Sequence, residues 1–251
     1  MSRLKIFLQL SAIVILISVP LSCGDNNGDS NNSTRTVYGS GTVIQETRNV
    51  IGAMGVNMGI VANMTIEQGV PEELVLQTDD NLMAFILSDV QGETLVVSDD
   101  PGVDLEPSQR IEALLRLNNI DTIIHSGVGN ITVLDLTTNQ TEITLSGVGA
   151  IDISNLDVTT LDVLISGVGN VLIAGKVENQ TVELISLGDY ETENLVSTTA
   201  DVDISSIGSA TVQVSTTLNA HITGSGSIFY IGSPVVNRTG NGTGNVKQLS
   251  P

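Results

Sequence analysis

Ser126-Gly127-Val128-Gly129, Ser146-Gly147-Val148-Gly149 and Ser166-Gly167-Val168-Gly169 are one tetrapeptide written three times at a spacing of 20 residues. Degenerate copies continue at Ser186, Ser205 and Thr223, with further steps of 20, 19 and 18 residues. Periods near 20 mark a stack of coils. Apolar and polar residues alternate on both sides of the motif, as in Leu161-Asp162-Val163-Leu164-Ile165 before the third copy's serine and Val171-Leu172-Ile173 after it. That alternation is the period of a strand with one apolar face. A single coil cannot bury such a face, but coils stacked with parallel strands pool their apolar columns into one core. The pattern predicts an all-β, parallel β-helix (solenoid) of about six or more coils, with repeats over about 121–232. Six coils at an inter-strand spacing of about 4.8 Å make a rod segment roughly 29 Å long.

Gly127, Gly129, Gly147, Gly149, Gly167 and Gly169 read as two structural turn columns, because a sharp turn commonly needs φ > 0 or close backbone approach. Val128, Val148, Val168, Leu187 and Ile207 are expected to point between them into the core. Gly-x-Gly also occurs in nucleotide loops, yet no Gly-x-Gly-x-x-Gly here runs into a helix and no P-loop lysine follows.

Residues 1–22 carry Arg3 and Lys5 and then an apolar run from Ile6 through Leu21, the pattern of an export signal. Cys23, the only cysteine, follows Leu21-Ser22 in a context similar to a bacterial lipobox, with Pro20 where leucine is usual. Lipidation at Cys23 is the leading expectation, ahead of an ordinary cleaved signal and an uncleaved anchor. The polar stretch from Gly24 to Thr34 makes residues 23–36 a flexible tether. Gly24 stands where inner-membrane retention would call for aspartate, which favours the outer membrane or cell surface over the periplasm. Residues 236–251 are poor in apolar side chains and are expected to form a flexible tail.

Ahead of the repeats, residues 37–97 read as a sheet-rich lead-in containing Gly39-Ser40-Gly41, Arg48, Glu67-Gln68-Gly69 and Asp79-Asp80-Asn81-Leu82. With the Ser-Gly-Val-Gly units behind it, this order resembles the auto-transporter adhesin family with a head GIN domain, common in Bacteroidetes envelopes. The resemblance spans 37–235, and Ala53 departs from it, standing where the family usually has phenylalanine. It implies a right-handed parallel β-helix in an exported protein. It brings no catalytic residues.

The whole chain carries a formal charge of −19. Without residues 1–22, which hold two cations and no acid, it is 7 − 28 = −21. Between 121 and 232, Lys176 stands alone against eight Asp and five Glu. Nucleic acid is excluded as a partner on these grounds. Negative charge keeps a strand-rich rod soluble and discourages edge pairing, and it also suits cations or basic partners.

Catalysis finds little support. His125 and His221 lie nearly five coils apart, and His125 and Ser126, adjacent on a strand, point to opposite faces. Asp152, Asp162, Asp201 and Asp203 form no acid–base pair legible from their spacing. Asp99, Asp100, Asp104 and Glu106 crowd one turn-rich loop as a weak calcium candidate, without EF-hand or nonapeptide spacing. Tyr190 and Phe229 are the candidates for surface binding, with Tyr230 on the inward parity. The reading is a non-catalytic, cofactor-free envelope lipoprotein, membrane-tethered by its lipid, which presents an acidic β-helix to a protein or glycan ligand. A periplasm-facing structural or sensory role is the alternative, and a carbohydrate-active enzyme comes third.

Overall fold

The computed structural model describes residues 34–250. Cys23, the export signal and residues 23–33 of the tether lie outside the described residues. The chain leads in with β1 (Arg35–Tyr38), β2 (Val43–Asn49), β3 (Gly55–Met58), β4 (Ala62–Gln68) and β5 (Glu73–Asp79). After a 3-10 turn at Met83–Phe85 come β6 (Ile86–Gln91), β7 (Thr94–Asp99), β8 (Val103–Glu106) and β9 (Ile111–Leu117). The repeats supply β10 (Thr122–His125), β11 (Val128–Thr137), β12 (Gln140–Leu145), β13 (Val148–Ile165), β14 (Val168–Leu184), β15 (Asp189–Ile204) and β16 (Ala210–Ile222). The chain then closes with β17 (Ile228–Ile231), β18 (Val235–Thr239) and β19 (Val246–Gln248).

These strands stack in parallel into a β-solenoid of about six turns. Each coil has a first limb, which follows the glycine corner, and a return limb that leads to the next corner. The registers are set by the repeat: Val128 pairs with Val148 and Val148 with Val168 along the first limb, while Ile143 pairs with Val163 and Val163 with Val182 on the return limb. Inward residues of both limbs, such as Ile131, Ile151 and Val171 facing the return-limb Leu145, Ile165 and Leu184 columns, belong to one continuous buried core. The shorter 18- and 19-residue steps are absorbed by register shifts at Ile153/Leu156, Leu172/Gly175, Thr192/Val196 and Ser197/Thr199, so both limbs stay paired on either side.

The stack is longer than the repeats. In the lead-in, β3 pairs in parallel with β7 and β10, and β4 with β9 and β11, so residues 55–117 already build coils. At the other end β18 pairs with β16 and β19 with β17. The expected flexible tail is therefore corrected: Val236 and Val246 pack on the core, and backbone pairing places a sequence poor in apolar residues. The N-terminal end is closed by antiparallel strands, β6 on β7 and β2–β5–β9, which blunts the stack's edges. Arg48 of β2 spans this end, its guanidinium donating to the carbonyls of Ile86 at 2.6 Å and Met83 at 3.1 Å.

The corner glycines pack backbone on backbone. A Cβ on Gly149, at φ +141°, would collide with the Gly129 carbonyl oxygen, and one on Gly147 with that of Gly127. With glycines turned inward on both sides, the residue between them has nowhere to point but outward. Val128, Val148, Val168, Leu187 and Ile207 are accordingly exposed, Val148 and Val168 at 50% and Ile207 at 67%, which overturns their expected place in the core.

Candidate functional site

Outward residues of the return limb stack into two columns. One reads Glu142, Asp162, Thr181, Asp201, Asn219, Asn237, and the other, two residues further on, Thr144, Leu164, Glu183, Asp203, His221, Thr239. Between them, on alternate positions, Val182, Val202 and Ala220 point into the core and fix the strands beneath. Over β14, β15, β16 and β18 the two columns line a depression of about 600 Å³. Asp162 and Asp201 thus share a column, and Asp201 and Asp203 share a strand face. The spacing in sequence hid this because the coils there differ in length.

Within the depression Asn237 Nδ2 donates to Asn219 Oδ1 at 2.9 Å, and Asn219 Nδ2 donates in turn to Asp201 Oδ1. His221 Nδ1 and Thr239 Oγ1 lie 2.8 Å apart. Along the ladder each amide spends one N–H within the stack and keeps a second, while the carboxylates of Glu183, Asp201 and Asp203 keep lone pairs facing out, so acceptors predominate on this face. Glu183 and Asp203 are register neighbours on adjacent strands, a like-charge pairing that costs stability when nothing stands between. None of the four ion pairs among the described residues uses a carboxylate from this face. The face offers an approaching molecule fixed, rung-spaced acceptors, with the His221 imidazole and the Thr239 hydroxyl at one end and the Thr181 hydroxyl at the other. It suits groups that donate hydrogen bonds or carry positive charge.

The other sequence candidates fall elsewhere. Tyr190 is fully buried, its hydroxyl donating to Gln180 Oε1 at 2.9 Å across the core, and burial pushes that hydroxyl above the ordinary phenol range. Aligning Gly188 with Gly129, Gly149 and Gly169 puts Tyr190 in the inward Ile131–Ile151–Val171 column, beside the small Ala210, which makes room for its ring. The copy starting at Ser186 was one residue out of phase, which is why the sequence placed Tyr190 outside. Phe229 is half-buried, and Tyr230 packs against the core. Asp99 has its carboxyl raised by burial and by Asp104, with one oxygen buried and unpartnered. Asp100 and Glu106 do not join them in a ligand set: among the described residues no three His, Cys, Asp or Glu side chains converge on a metal-sized site. His125 is buried and points away from exposed Ser126, whose hydroxyl donates to Asn57 at 2.6 Å.

The lead-in motifs are fasteners. Asp79, fully buried, accepts from the Gly41 and Ser108 backbone N–H groups at 2.7 and 2.8 Å and from the Ser108 hydroxyl at 2.7 Å, and these bonds hold its carboxyl below the usual range. Asn81 accepts from the Ser40 N–H at 2.8 Å and donates to the Tyr38 carbonyl at 2.9 Å, so Gly39-Ser40-Gly41 is strapped to Asp79-Asp80-Asn81. Glu67 pairs with Arg116 at 2.8 Å, while Gln68 bonds the backbone of Thr137 through both ends of its amide. These residues bind the chain to itself.

Comparison with known proteins agrees with this geometry. A family model described as "Putative auto-transporter adhesin, head GIN domain" matches residues 55–234. A solved structure of a putative adhesin from Bacteroides fragilis is 26% identical, covers 85% of this chain and all of its own, and superposes with a TM-score of 0.82. A putative adhesin and a putative lipid binding protein, both from Parabacteroides distasonis, are each 18% identical with TM-scores of 0.68, covering 85% and 86% of this chain and all of their own. At that identity they speak for the fold alone. No curated protein matches the chain.

Proposed function

Since the chain belongs to the family described as "Putative auto-transporter adhesin, head GIN domain", we propose that it is an exported, non-catalytic lipoprotein of the cell envelope that uses its return-limb face as an adhesin-like surface. The observation that carries this reading is the open pair of columns that holds Glu183 and Asp203 in one and Asp201, continued by the Asn219–Asn237 amide ladder, in the other. Rung-spaced acceptors on a rigid parallel sheet can hold an extended ligand at many weak points, which is what adhesion to a polymer requires. The chain's charge of −19 directs that surface toward basic protein segments or hydroxyl-rich glycans and away from nucleic acid. Anchoring is assigned to Cys23, with the polar stretch behind it as tether, and delivery to the outer membrane or cell surface.

Protease shaving of intact cells tests the placement, using a tagged copy, a Cys23→Ala control and a periplasmic marker to show that the outer membrane stayed closed. Digestion in intact cells, with Cys23→Ala released from the envelope, is the expected result. Protection until the membrane is opened would overturn the surface role and favour a periplasm-facing structural protein. On shaved-positive cells, replacing Glu183, Asp201 and Asp203 by their amides should abolish adhesion to a matrix that binds the parent strain.

A further inference from the structure

The glycine corner carries a surface unlike the rest of this acidic molecule. Val61, Val128, Val148, Val168, Leu187 and Ile207 form an unbroken apolar ridge along six successive coils, each about half exposed or more. The six corner segments 59–63, 126–130, 146–150, 166–170, 185–189 and 205–209 contain one charged side chain, Asp189, which already accepts from the Ser209 N–H at 2.7 Å. Serine and asparagine fill most outward positions beside the ridge, as at Ser126, Ser146, Asn130 and Asn170. Exposed apolar runs of this extent on a soluble surface mark contact sites. The strip also offers roughly the 20–30 residues per side that a specific interface uses.

We propose that this corner pairs two copies of the chain, ridge against ridge, about a twofold axis. The first reason is spacing: the ridge side chains repeat at one inter-strand step, about 4.8 Å, and the surface with the identical repeat is a second ridge, so that side chains of one meet those of the other rung for rung. The second is symmetry. The midpoint of the apolar run falls between Val148 and Val168, so a twofold axis there sets Val148 against Val168 of the second copy, Val128 against its Leu187 and Val61 against its Ile207. Apolar then meets apolar over the whole run, and the polar Ser225 and Thr243 that continue the column stay outside it. The third is charge. Two bodies of −19 each repel, and the uncharged strip is where they approach at least cost. The pairing does not depend on the ligand-binding role of the return-limb face, which lies on a different side of the coil.

Sedimentation of residues 34–251, which contain the entire described core, tests the pairing. This segment lacks Cys23, so introduced cysteines are its only thiols. The expected result is a monomer–dimer equilibrium that tightens as salt is raised, because screening removes the repulsion while the apolar contact remains. A Val148→Asp, Val168→Asp variant should weaken association by more than about tenfold, since each buried unpaired carboxylate opposes it, and its thermal melt should match the parent because both positions are exposed. Mixed Val148→Cys and Val168→Cys chains should cross-link under mild oxidation faster than mixed Val61→Cys and Val168→Cys chains. A monomer at every concentration and salt overturns the proposal, as does a dimer indifferent to the aspartates. A monomer that floats with neutral lipid vesicles through the same valines would overturn it in favour of a membrane contact.

Discussion

His125 shows how one side chain couples the core to pH. It occupies the inward column between Met58 and Leu145, with Nε2 2.7 Å from the Gly129 carbonyl oxygen and Nδ1 buried without a partner. Burial lowers its pKa from the ordinary value, so the ring is held neutral. An unfolded chain titrates that ring near 6.5. Between that value and the lower folded one, the unfolded state binds a proton that the folded state refuses, so stability is full above about pH 6.5 and falls as pH drops through the window. The buried Asp79 adds its own loss only below about pH 4, where carboxylates titrate, because its folded pKa is lowered in turn. His125→Met, matching its neighbour Met58, should flatten the slope between pH 6.5 and the acid limb in denaturant melts across a pH series. An unchanged slope would assign the dependence to another group. Strand alternation in the sequence rightly put His125 opposite Ser126. Carried through the corner, the same alternation turns Gly127, Gly129 and Ile131 inward and Val128 outward, and the expectation of a buried valine column followed hydrophobicity against that parity.

Among the elements, the clasp between the lead-in and the first coils rests on Asp79. It ties the loop after β1 and the loop before β9 to the end of β5, at the edge of the antiparallel pairing of β5 with β2 and β9. Asp79→Asn removes the charge and replaces one acceptor oxygen by a donor that faces N–H and hydroxyl donors. The expected outcome is faster amide exchange at Gly41 and Ser108, a melt lowered by several degrees, and unchanged protection along β13 and β14. Equal loosening across the repeats would mean that Asp79 supports the whole stack and not the clasp. Gly39-Ser40-Gly41 and Asp79-Asp80-Asn81 were legible as strings with a family resemblance, yet their contact was not, since 38 residues separate Gly41 from Asp79. The coils of β3–β4 and β7–β9 were hidden for a related reason. Their strands enter the stack out of chain order, β3 lying between β7 and β10, so no fixed period announces them. The return-limb acids were legible singly but not as a site, because register shifts move Asp162 and Asp201 into one column.

For the molecule as a whole, the solenoid behaves as a stack of near-equivalent rungs, so its stability should depend on coil number more than on any one coil. Deleting residues 148–167 joins Gly147 to Val168 and removes one rung from each limb. Val168 then takes the place of Val148 beside Val128, Val171 that of Ile151 beside Ile131, and Val182 that of Val163 beside Ile143, all in the registers the repeat already uses. The shortened chain should fold with native-like circular dichroism, shorter by about 4.8 Å in solution scattering and less stable by one inter-coil interface. Deleting residues 148–157 is the matched control. It joins Gly147 to Val158, feeds a return limb where a first limb should begin, and strands a corner without its second glycine, so it should abolish cooperative folding. If the full-coil deletion unfolds the chain as completely as the half-coil one, the rungs are not interchangeable and the stack is held by particular coils. The full-coil deletion also shortens the apolar ridge by one residue and moves its midpoint onto Val168, so a dimer built on that ridge should survive it, with Val168 now facing its own copy across the axis.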